Sequence, residues 1–203
     1  MAAVVRAERD MMRDPIPQCC FAMPKRIAAR RSPIHGNGVF ALIDIPARTE
    51  LIEYRGKRLT HAQADRLYAN TSDSGHTFLF TLNDKYVIDA KSEGNIARWI
   101  NHSCKPNCRA LLEENAGGDP RKDRVLIETL HPLRAGEELT YDYGIVLEER
   151  LTPRLKAIWA CRCGAPRCTG TLLKPKRVLR PAVRKKRTAN AKATGPDRVA
   201  SRI

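Results

Sequence analysis

Residues 94–107 read Gly94-Asn-Ile-Ala-Arg-Trp-Ile-Asn-His-Ser-Cys-Lys-Pro-Asn107 and bring amide, imidazole, hydroxyl and thiol groups together within a few positions. The densest part, Asn101 to Cys104, is predicted to be a turn. A second stretch, Gly136-Glu-Glu-Leu-Thr-Tyr-Asp-Tyr-Gly144, places two tyrosines at the end of a short predicted strand that follows a turn. These two stretches carry the first candidates for a functional site.

Cysteines form the next pattern along the chain. Three of the seven, Cys161, Cys163 and Cys168, fall within eight residues around a Gly-Ala-Pro turn. Thiols at this spacing can reach one ion, and Zn²⁺ prefers four ligands in a tetrahedron, so a fourth ligand must come from elsewhere in the chain. Cys104 is the best candidate because it lies in the turn from Asn101 to Cys104, which is rich in functional groups. Disulfides and inert buried thiols are the alternatives, although an odd number of cysteines and the lack of a secretion signal argue against disulfides. The remaining cysteines are expected to be core or surface thiols: Cys19, Cys20 and Cys108.

Short apolar or alternating segments predict strands, with turn residues between them. They cover residues 39–42, 50–54, 77–82, 85–89, 125–130 and 138–143. The third and fourth are expected to pair as a hairpin that turns at Asn83-Asp84. One amphipathic helix is predicted from Thr60 to about Ala69, beginning with a capping box between Thr60 and Gln63. Many short strands and few helices indicate a mostly β domain.

Charge is concentrated at the two ends of the 203-residue chain, whose formal net charge is +15. Residues 1–31 carry net +4 and residues 174–203 carry net +10, so the segment between them is nearly neutral. The C-terminal stretch is expected to be a disordered cationic tail that serves as an import-like signal, contacts phosphate backbones, or only aids solubility. No apolar run approaches the roughly 20 residues of a membrane helix, and no signal peptide is recognised at the N-terminus.

Four motifs occur in a recognisable order: residues 31–40 (Arg-Ser-Pro-Ile-His-Gly-Asn-Gly-Val-Phe), residues 94–107, residues 136–144 and the cysteine cluster. In this order they resemble the SET-domain protein-lysine methyltransferases with a post-SET zinc motif, in particular the mixed-lineage-leukaemia/trithorax branch. The resemblance covers about residues 29–174. It implies a mostly β, β-clip-like SET fold with a pseudoknot, few short helices and a zinc-bound post-SET segment. The expected organisation is a basic extension over 1–28, a SET domain over 29–150, a post-SET segment over 151–174 and a basic tail over 175–203.

The same resemblance implies roles for individual residues. Tyr143 corresponds to the catalytic tyrosine, and Tyr141 to a Phe/Tyr switch position at which tyrosine biases the product toward monomethylation. The residues expected to bind S-adenosylmethionine are His35, Gly36, Asn37, Gly38, Phe78, Asn101, His102 and Arg162. The substrate channel is expected to include Tyr54, Phe78 and Trp159, and the zinc ligands are Cys104, Cys161, Cys163 and Cys168.

Several of these positions keep a plainer alternative. His35 can be a surface loop histidine, Tyr54 a core residue, and Trp159 a residue that only packs the post-SET segment. Phe78 stands where relatives carry a tyrosine, so it keeps the aromatic wall without the hydroxyl. Arg98 and Asp89 are expected to be structural, as an internal ion pair.

The implied reaction requires a neutral lysine amine. With a free pKa of about 10.4, about one lysine in a thousand is neutral near pH 7.4, a handicap of roughly 4 kcal/mol. An apolar channel beside a sulfonium lowers that pKa. The expected substrate is a histone H3 tail or a histone-like basic protein. The expected location is the nucleus or chromosome for a eukaryotic protein, and the cytoplasm or nucleoid, or a host nucleus after secretion, for a bacterial one. A catalytically silent, zinc-stapled chromatin or nucleic-acid-binding module is the alternative.

Overall fold

The computed structural model describes residues 25–69, 77–147 and 149–175. The predictions for the N-terminal extension before residue 25, for the basic tail beyond residue 175, and for Cys19 and Cys20 therefore lie outside the described residues. Within the described ranges, no helix has the length and apolar character needed to cross a bilayer.

The strands form three small sheets. Their bounds are β1 Ile27–Arg31, β2 Asn37–Ala41, β3 Glu50–Glu53, β4 Lys57–Thr60, β5 Leu79–Thr81, β6 Tyr86–Asp89, β7 Asn101–His102, β8 Cys108–Glu113, β9 Arg124–Thr129 and β10 Glu138–Tyr141. Two sheets have the orders β3-β9-β8 and β4-β6-β5, and all of their pairings are antiparallel. The predicted hairpin is confirmed as the β5–β6 pair.

The third sheet positions the candidate site. Its order is β1-β2-β10-β7, so a strand from late in the chain lies between two much earlier ones. β10 pairs antiparallel with β2 and parallel with β7, where Thr140 faces Asn101 and Tyr141 faces His102. This insertion brings residues 94–107 and 136–144 side by side, in keeping with the threaded topology that the resemblance implies.

Helices are few and short. α1 spans His61–Tyr68 and begins with the predicted capping box, in which the Thr60 side chain accepts from the Gln63 amide and the Gln63 side chain accepts from the Thr60 amide. α2 spans Pro153–Ile158, with Thr152 as its N-cap and a proline at its first position, a favourable helix start. Short 3₁₀ helices cover Ile96–Trp99 and Pro120–Lys122.

The main apolar core lies between the sheets and confirms the mostly β class. Its fully buried side chains include Val39, Ile45, Ile88, Ile100, Ile127, Leu133 and Leu139. Tyr54 and Tyr141 belong to the same core cluster, and Tyr143 packs against it. The candidate catalytic side chains therefore stand on the edge of the core, where burial limits their movement.

The expected ion pair between Arg98 and Asp89 is wrong for the described structure. The Asp89 carboxylate accepts from the Tyr68 hydroxyl and the Lys91 amide instead. Arg98 donates to the Ala90 carbonyl, and its guanidinium lies 4.6 Å from the centroid of the Trp99 ring. Both residues are structural, but hydrogen bonds to other partners and ring stacking replace the ion pair.

Candidate functional site

Tyr143 is held at both its backbone and its hydroxyl. Its hydroxyl donates to the Ile100 carbonyl at 2.9 Å, and its amide donates to Nδ1 of His102 at 3.1 Å. The ring packs edge-on against His102, with centroids 5.3 Å apart, and lies 4.9 Å from the Tyr141 ring. The strand pairing of β10 with β7 thus brings the two predicted catalytic tyrosines next to the predicted Asn101-His102 pair.

A row of neighbouring aromatic side chains, called the arc below, extends from Tyr141 through Phe80 and Tyr54 to Phe78. Phe80 lies 6.2 Å from Tyr141 and 5.3 Å from Tyr54, and the Tyr54 hydroxyl donates to the carbonyl of Phe78 at 3.0 Å. The Phe78 ring in turn meets Trp99 at right angles, with centroids 5.2 Å apart. The predicted channel residues Tyr54 and Phe78 are therefore brought together with Tyr141.

Phe80 joins the arc without having been singled out from the sequence. The signal was available, since residues 78 and 80 lie on one face of a strand. Any strand that presents Phe78 to the channel presents Phe80 as well.

Burial keeps the tyrosines of this arc protonated. Burial raises the pKa of Tyr54, Tyr141 and Tyr143 well above the usual value, and the proximity of these hydroxyls to one another adds to the effect for Tyr54 and Tyr141. Backbone hydrogen bonding at His102 opposes the shift for Tyr143 without cancelling it. At neutral pH these groups are hydroxyls that orient and polarise, and none of them is a strong base.

His102 is a neutral imidazole of defined tautomer. Burial lowers its pKa; nearby Asp142 opposes this shift and Lys174 adds to it. Because the Tyr143 amide donates to Nδ1, the ring proton belongs on Nε2, which lies 3.5 Å from Sγ of Cys104. His102 thereby joins the tyrosine strand to the cysteine cluster.

His35 and Gly36 lie in the loop between β1 and β2, and Asn37 is the first residue of β2; all three are exposed at the surface. Gly36 has a φ of +50°, a conformation that glycine adopts without strain. The side-chain amide of Asn101 lies 3.2 Å from the His35 carbonyl and 2.9 Å from the Asn37 carbonyl. The structure thus joins Asn101 to the loop predicted to bind the methyl donor.

The four predicted zinc ligands meet. Cys104, Cys161, Cys163 and Cys168 place their sulfur atoms within 4.8 Å of one another. Sγ of Cys104 lies 3.8 Å from that of Cys161 and 3.9 Å from that of Cys168. Since Zn–S bonds are about 2.3 Å, a ZnS₄ tetrahedron has edges of about 3.8 Å. The cage therefore fits zinc in donor type, number and spacing.

Hydrogen bonds prepare one of these thiols for a metal. Partial burial alone would raise the pKa of Cys163, but donation from the Cys104 and Ala165 backbone amides and contacts with Cys161 and Cys168 lower it to about 6. A thiolate at neutral pH is the form that binds metals.

The segment after the cage returns to the tyrosine loop. Leu173 forms a parallel bridge to Ile145, and the Lys174 amide donates to the Ile145 carbonyl at 2.7 Å. The Lys174 ammonium also lies 2.8 Å from the Asp142 carboxylate. Residues 173–174 thus fasten the cysteine-bearing segment beside Tyr143.

Arg162 and Trp159 lie near the cysteine cage, and their predicted roles stay predictions. Arg162 is exposed between two cage cysteines, and its side chain makes no hydrogen bond or ion pair within the described ranges. Trp159 is 7% exposed, and its carbonyl accepts from the Thr171 hydroxyl and the Leu172 amide. These contacts place Trp159 in the packing of residues 159–173, so its channel role stays a prediction.

The sequence matches a known family over the part of the chain that builds this site. The match to the SET domain covers residues 36–144, more than half of the chain. This chain belongs to the SET domain family. The SET domain described here runs from the Gly36 loop to Gly144 and therefore contains the loop, the Asn101-His102 pair and both tyrosines.

Curated relatives of this SET domain share its sequence over a similar range. Proteins from Candida albicans and Saccharomyces cerevisiae are each 39% identical over 151 residues, which is 73% of this chain and 14% and 13% of theirs. One from Schizosaccharomyces pombe is 36% identical over 168 residues, or 82% of this chain and 17% of that protein. All three are named histone-lysine N-methyltransferase, H3 lysine-4 specific. The chain spans only a small part of the length of these relatives.

A solved structure shares the fold. It is a humanized mutant of the Chaetomium thermophilum Polycomb Repressive Complex 2 bound to the inhibitor GSK126. The TM-score is 0.52 at 29% identity, over 59% of this chain and 15% of the other.

Proposed function

We propose that this chain is an S-adenosylmethionine-dependent protein-lysine methyltransferase. The observation that carries the proposal is the position of Tyr143, whose hydroxyl is fixed at Ile100 while its backbone is bonded to His102. Membership of the SET domain family and the names of the relatives support the same activity.

The residues near the exposed loop suit this methyl donor. His35, Gly36, Asn37 and Gly38 would hold its methionine end, where glycine permits close backbone approach. Asn101, His102, Phe78 and Arg162 would contact the rest of the molecule, and the arc of rings favours a cation nearby. When bound, S-adenosylmethionine supplies an electrophilic methyl group on a sulfonium sulfur.

The side chains of the arc would prepare the lysine amine. Tyr54, Phe78, Phe80 and Tyr141 offer a mostly apolar wall, in which burial disfavours the charged ammonium. The Tyr143 hydroxyl, kept neutral by its raised pKa, would orient the amine rather than remove its proton. The chain thus contributes desolvation and alignment, and these effects alone can supply several kcal/mol.

The proposed substrate is a lysine in a histone tail, with histone H3 as the first choice because of the relatives' names. Tyr141 is proposed to bias the product toward monomethylation, since its hydroxyl occupies space that further methyl groups would need. A nuclear or chromosomal location follows if the protein acts on histones.

The remaining assignments complete the proposal. The four-cysteine cage would hold a structural zinc ion, and Trp159 would border the channel. The domain limits are those expected from the sequence, with basic segments at 1–28 and 175–203. The basic tail over 175–203 would add nonspecific contact with nucleic acid through its net charge of +9.

The decisive experiment incubates the protein with radiolabelled S-adenosylmethionine and a panel of histones, histone-like proteins and ribosomal proteins. We expect label on lysine, and about 100-fold less with Tyr143→Phe. Tyr86→Phe is the matched control. Tyr86 is half-buried, its hydroxyl accepts from Arg121 in an exposed contact outside the site, and phenylalanine keeps its ring, so this variant should leave activity unchanged.

Calorimetry separates the enzyme from the alternative, a silent zinc-stapled binding module. The Tyr143→Phe variant should bind S-adenosylhomocysteine as the wild type does while transferring little methyl. A wild type that binds neither cofactor nor product would refute the methyltransferase assignment.

A further inference from the structure

Glu138 occupies a junction between three elements of the site. Its carboxylate accepts from the Ser32 hydroxyl at 2.7 and 2.9 Å and from the Asn101 side-chain amide at 2.8 Å. Glu138 itself is the first residue of β10, the strand that carries Tyr141. One half-buried carboxylate therefore joins the β1–β2 loop, β7 and the tyrosine strand.

Ser32 organises the loop from inside. Its oxygen accepts from the Ile34 amide at 2.9 Å and the His35 amide at 3.4 Å, while its own amide donates to the Gly36 carbonyl at 3.0 Å. Because the Ser32 hydroxyl donates its single proton to Glu138, its lone pairs accept from those loop amides and from the Asn101 side-chain amide, which lies 3.0 Å away. The Glu138 carboxylate thus fixes the orientation of the Ser32 hydroxyl, which in turn binds the backbone amides of the loop.

Gly38 shows how closely the loop approaches this carboxylate. A Cβ at Gly38 would overlap the carboxylate, with the Glu138 Cδ at 2.8 Å and the Ser32 Cβ at 3.0 Å. Real Cβ atoms do not approach other atoms so closely. The carboxylate of Glu138 and the side chain of Ser32 therefore already fill the space that an alanine at position 38 would need.

We propose that Glu138 and Ser32 are positioning residues that set the shape of the 32–38 segment, which is the β1–β2 loop and the start of β2, for the methyl donor and couple it to the tyrosine strand. This inference rests on the proposed function, since the loop is the proposed site for the donor's methionine end. Neither residue is proposed to touch the reacting atoms. Their loss should weaken cofactor binding more than it slows methyl transfer at saturation.

Glu138→Gln is the sharpest test, because it keeps the size, removes the charge and replaces one accepting carboxylate oxygen with an NH₂ group that can only donate. We expect the Kd for S-adenosylhomocysteine to rise about tenfold, the loss expected for hydrogen bonds to a charged group. The kcat at saturating S-adenosylmethionine should stay within about threefold. Glu114→Gln, at an exposed position, is the matched control and should change neither quantity.

Hydrogen–deuterium exchange supplies a readout that needs no cofactor. The amides of residues 32–38 should exchange faster in Glu138→Gln and in Ser32→Ala, while those of β8 and β9 keep wild-type rates. Ser32→Ala removes the contact from the loop side and keeps the inference testable if the strand variant unfolds.

The outcomes are distinct. Unchanged Kd and unchanged loop exchange in both variants would overturn the inference while leaving the methyltransferase proposal intact. A fall in kcat in both variants, with the Kd for S-adenosylhomocysteine unchanged, would also overturn the inference. A wild type that fails to bind S-adenosylhomocysteine would refute the proposed function, and the loop exchange rates would then decide the positioning role by themselves.

Discussion

The backbone amide of Tyr143 donates to Nδ1 of His102 at 3.1 Å, while Nε2 of the same ring lies 3.5 Å from Sγ of Cys104. One imidazole therefore touches the candidate catalytic tyrosine on one side and the thiol cage on the other. An N–H contact to a metal-binding thiolate is a typical outer-shell interaction that fixes ligand orientation. The cysteine cage and the strand that leads to Tyr143 are therefore connected through the His102 side chain.

Replacing Tyr141 with phenylalanine should change the product rather than abolish the reaction. Tyr141 is buried between Phe80 and Tyr143, so removing its hydroxyl enlarges the channel without disturbing the ring packing. We expect mass spectrometry of the modified substrate to show more dimethyl and trimethyl lysine with Tyr141→Phe. The control variant Tyr86→Phe should keep the wild-type distribution, and an unchanged distribution in both would contradict the proposed bias.

The rate should rise with pH because the lysine must lose a proton. From pH 7 to 9.5 we expect kcat/KM to climb about tenfold per pH unit, as the free lysine pKa lies near 10.4. The arc tyrosines have raised pKa values and His102 has a lowered one, so none of these groups should add a rising limb in this range. A flat profile would show that lysine deprotonation does not limit the reaction.

The free energy of unfolding should fall as the pH rises above about 10. The pKa values of Tyr54, Tyr141 and Tyr143 are higher in the folded state than the usual value of about 10. Above pH 10 the unfolded chain therefore releases protons that the native state retains, and stability falls as pH rises. Circular dichroism during urea unfolding should show a lower midpoint at pH 11 than at pH 9, whereas equal midpoints would argue against buried, protonated tyrosines.

The sequence predicted the chemically reactive residues of the site better than the residues that hold them in place. The spacing of Cys161, Cys163 and Cys168, with Cys104 as fourth ligand, led to the cage seen in the structure. By contrast, Ser32 and Glu138 are 106 positions apart, and no local pattern marks them as partners. Their contact depends on β10 lying between β2 and β7, a long-range pairing that strand patterns do not specify.

Strand prediction failed where local preference disagreed with the fold. β8 reads Cys-Arg-Ala-Leu-Leu-Glu and contains good helix formers, yet it pairs along its whole length with β9. β1, with two alanines and two arginines, gives a similarly weak strand signal. In both cases pairing and burial override propensity. The Arg98–Asp89 pair failed for a related reason, since opposite charges in sequence do not reveal which hydrogen-bond partners lie closer.

Zinc should be retained only when the cage is complete. We expect about one zinc per chain by mass spectrometry under native conditions, and loss of that zinc in Cys163→Ser. Cys108→Ala is the matched control, because this thiol is fully buried in β8 outside the cage. A structural zinc contributes on the order of 10 kcal/mol, so chelation should first speed hydrogen exchange over residues 160–173. Zinc retained in Cys163→Ser, or lost in Cys108→Ala, would contradict the four-thiol site.

Loss of the Asn107 side chain should weaken the tyrosine strand. Its Oδ1 accepts from the Thr140 amide at 2.8 Å, and its Nδ2 donates to the Glu138 carbonyl at 2.8 Å. Asn107→Ala would leave both β10 backbone groups without these partners, at a cost of about 1–3 kcal/mol each. We therefore expect urea unfolding to show a loss of about 2–6 kcal/mol.

Asn115→Ala provides the comparison for this variant. Asn115 also accepts from a backbone amide, that of Gly117, but in an exposed loop where water can take its place. Its loss should cost less than about 1 kcal/mol. Equal losses in the two variants would mean that β10 is held by its pairing with β2 and β7 alone, and that the Asn107 side chain adds nothing to the placement of Tyr141.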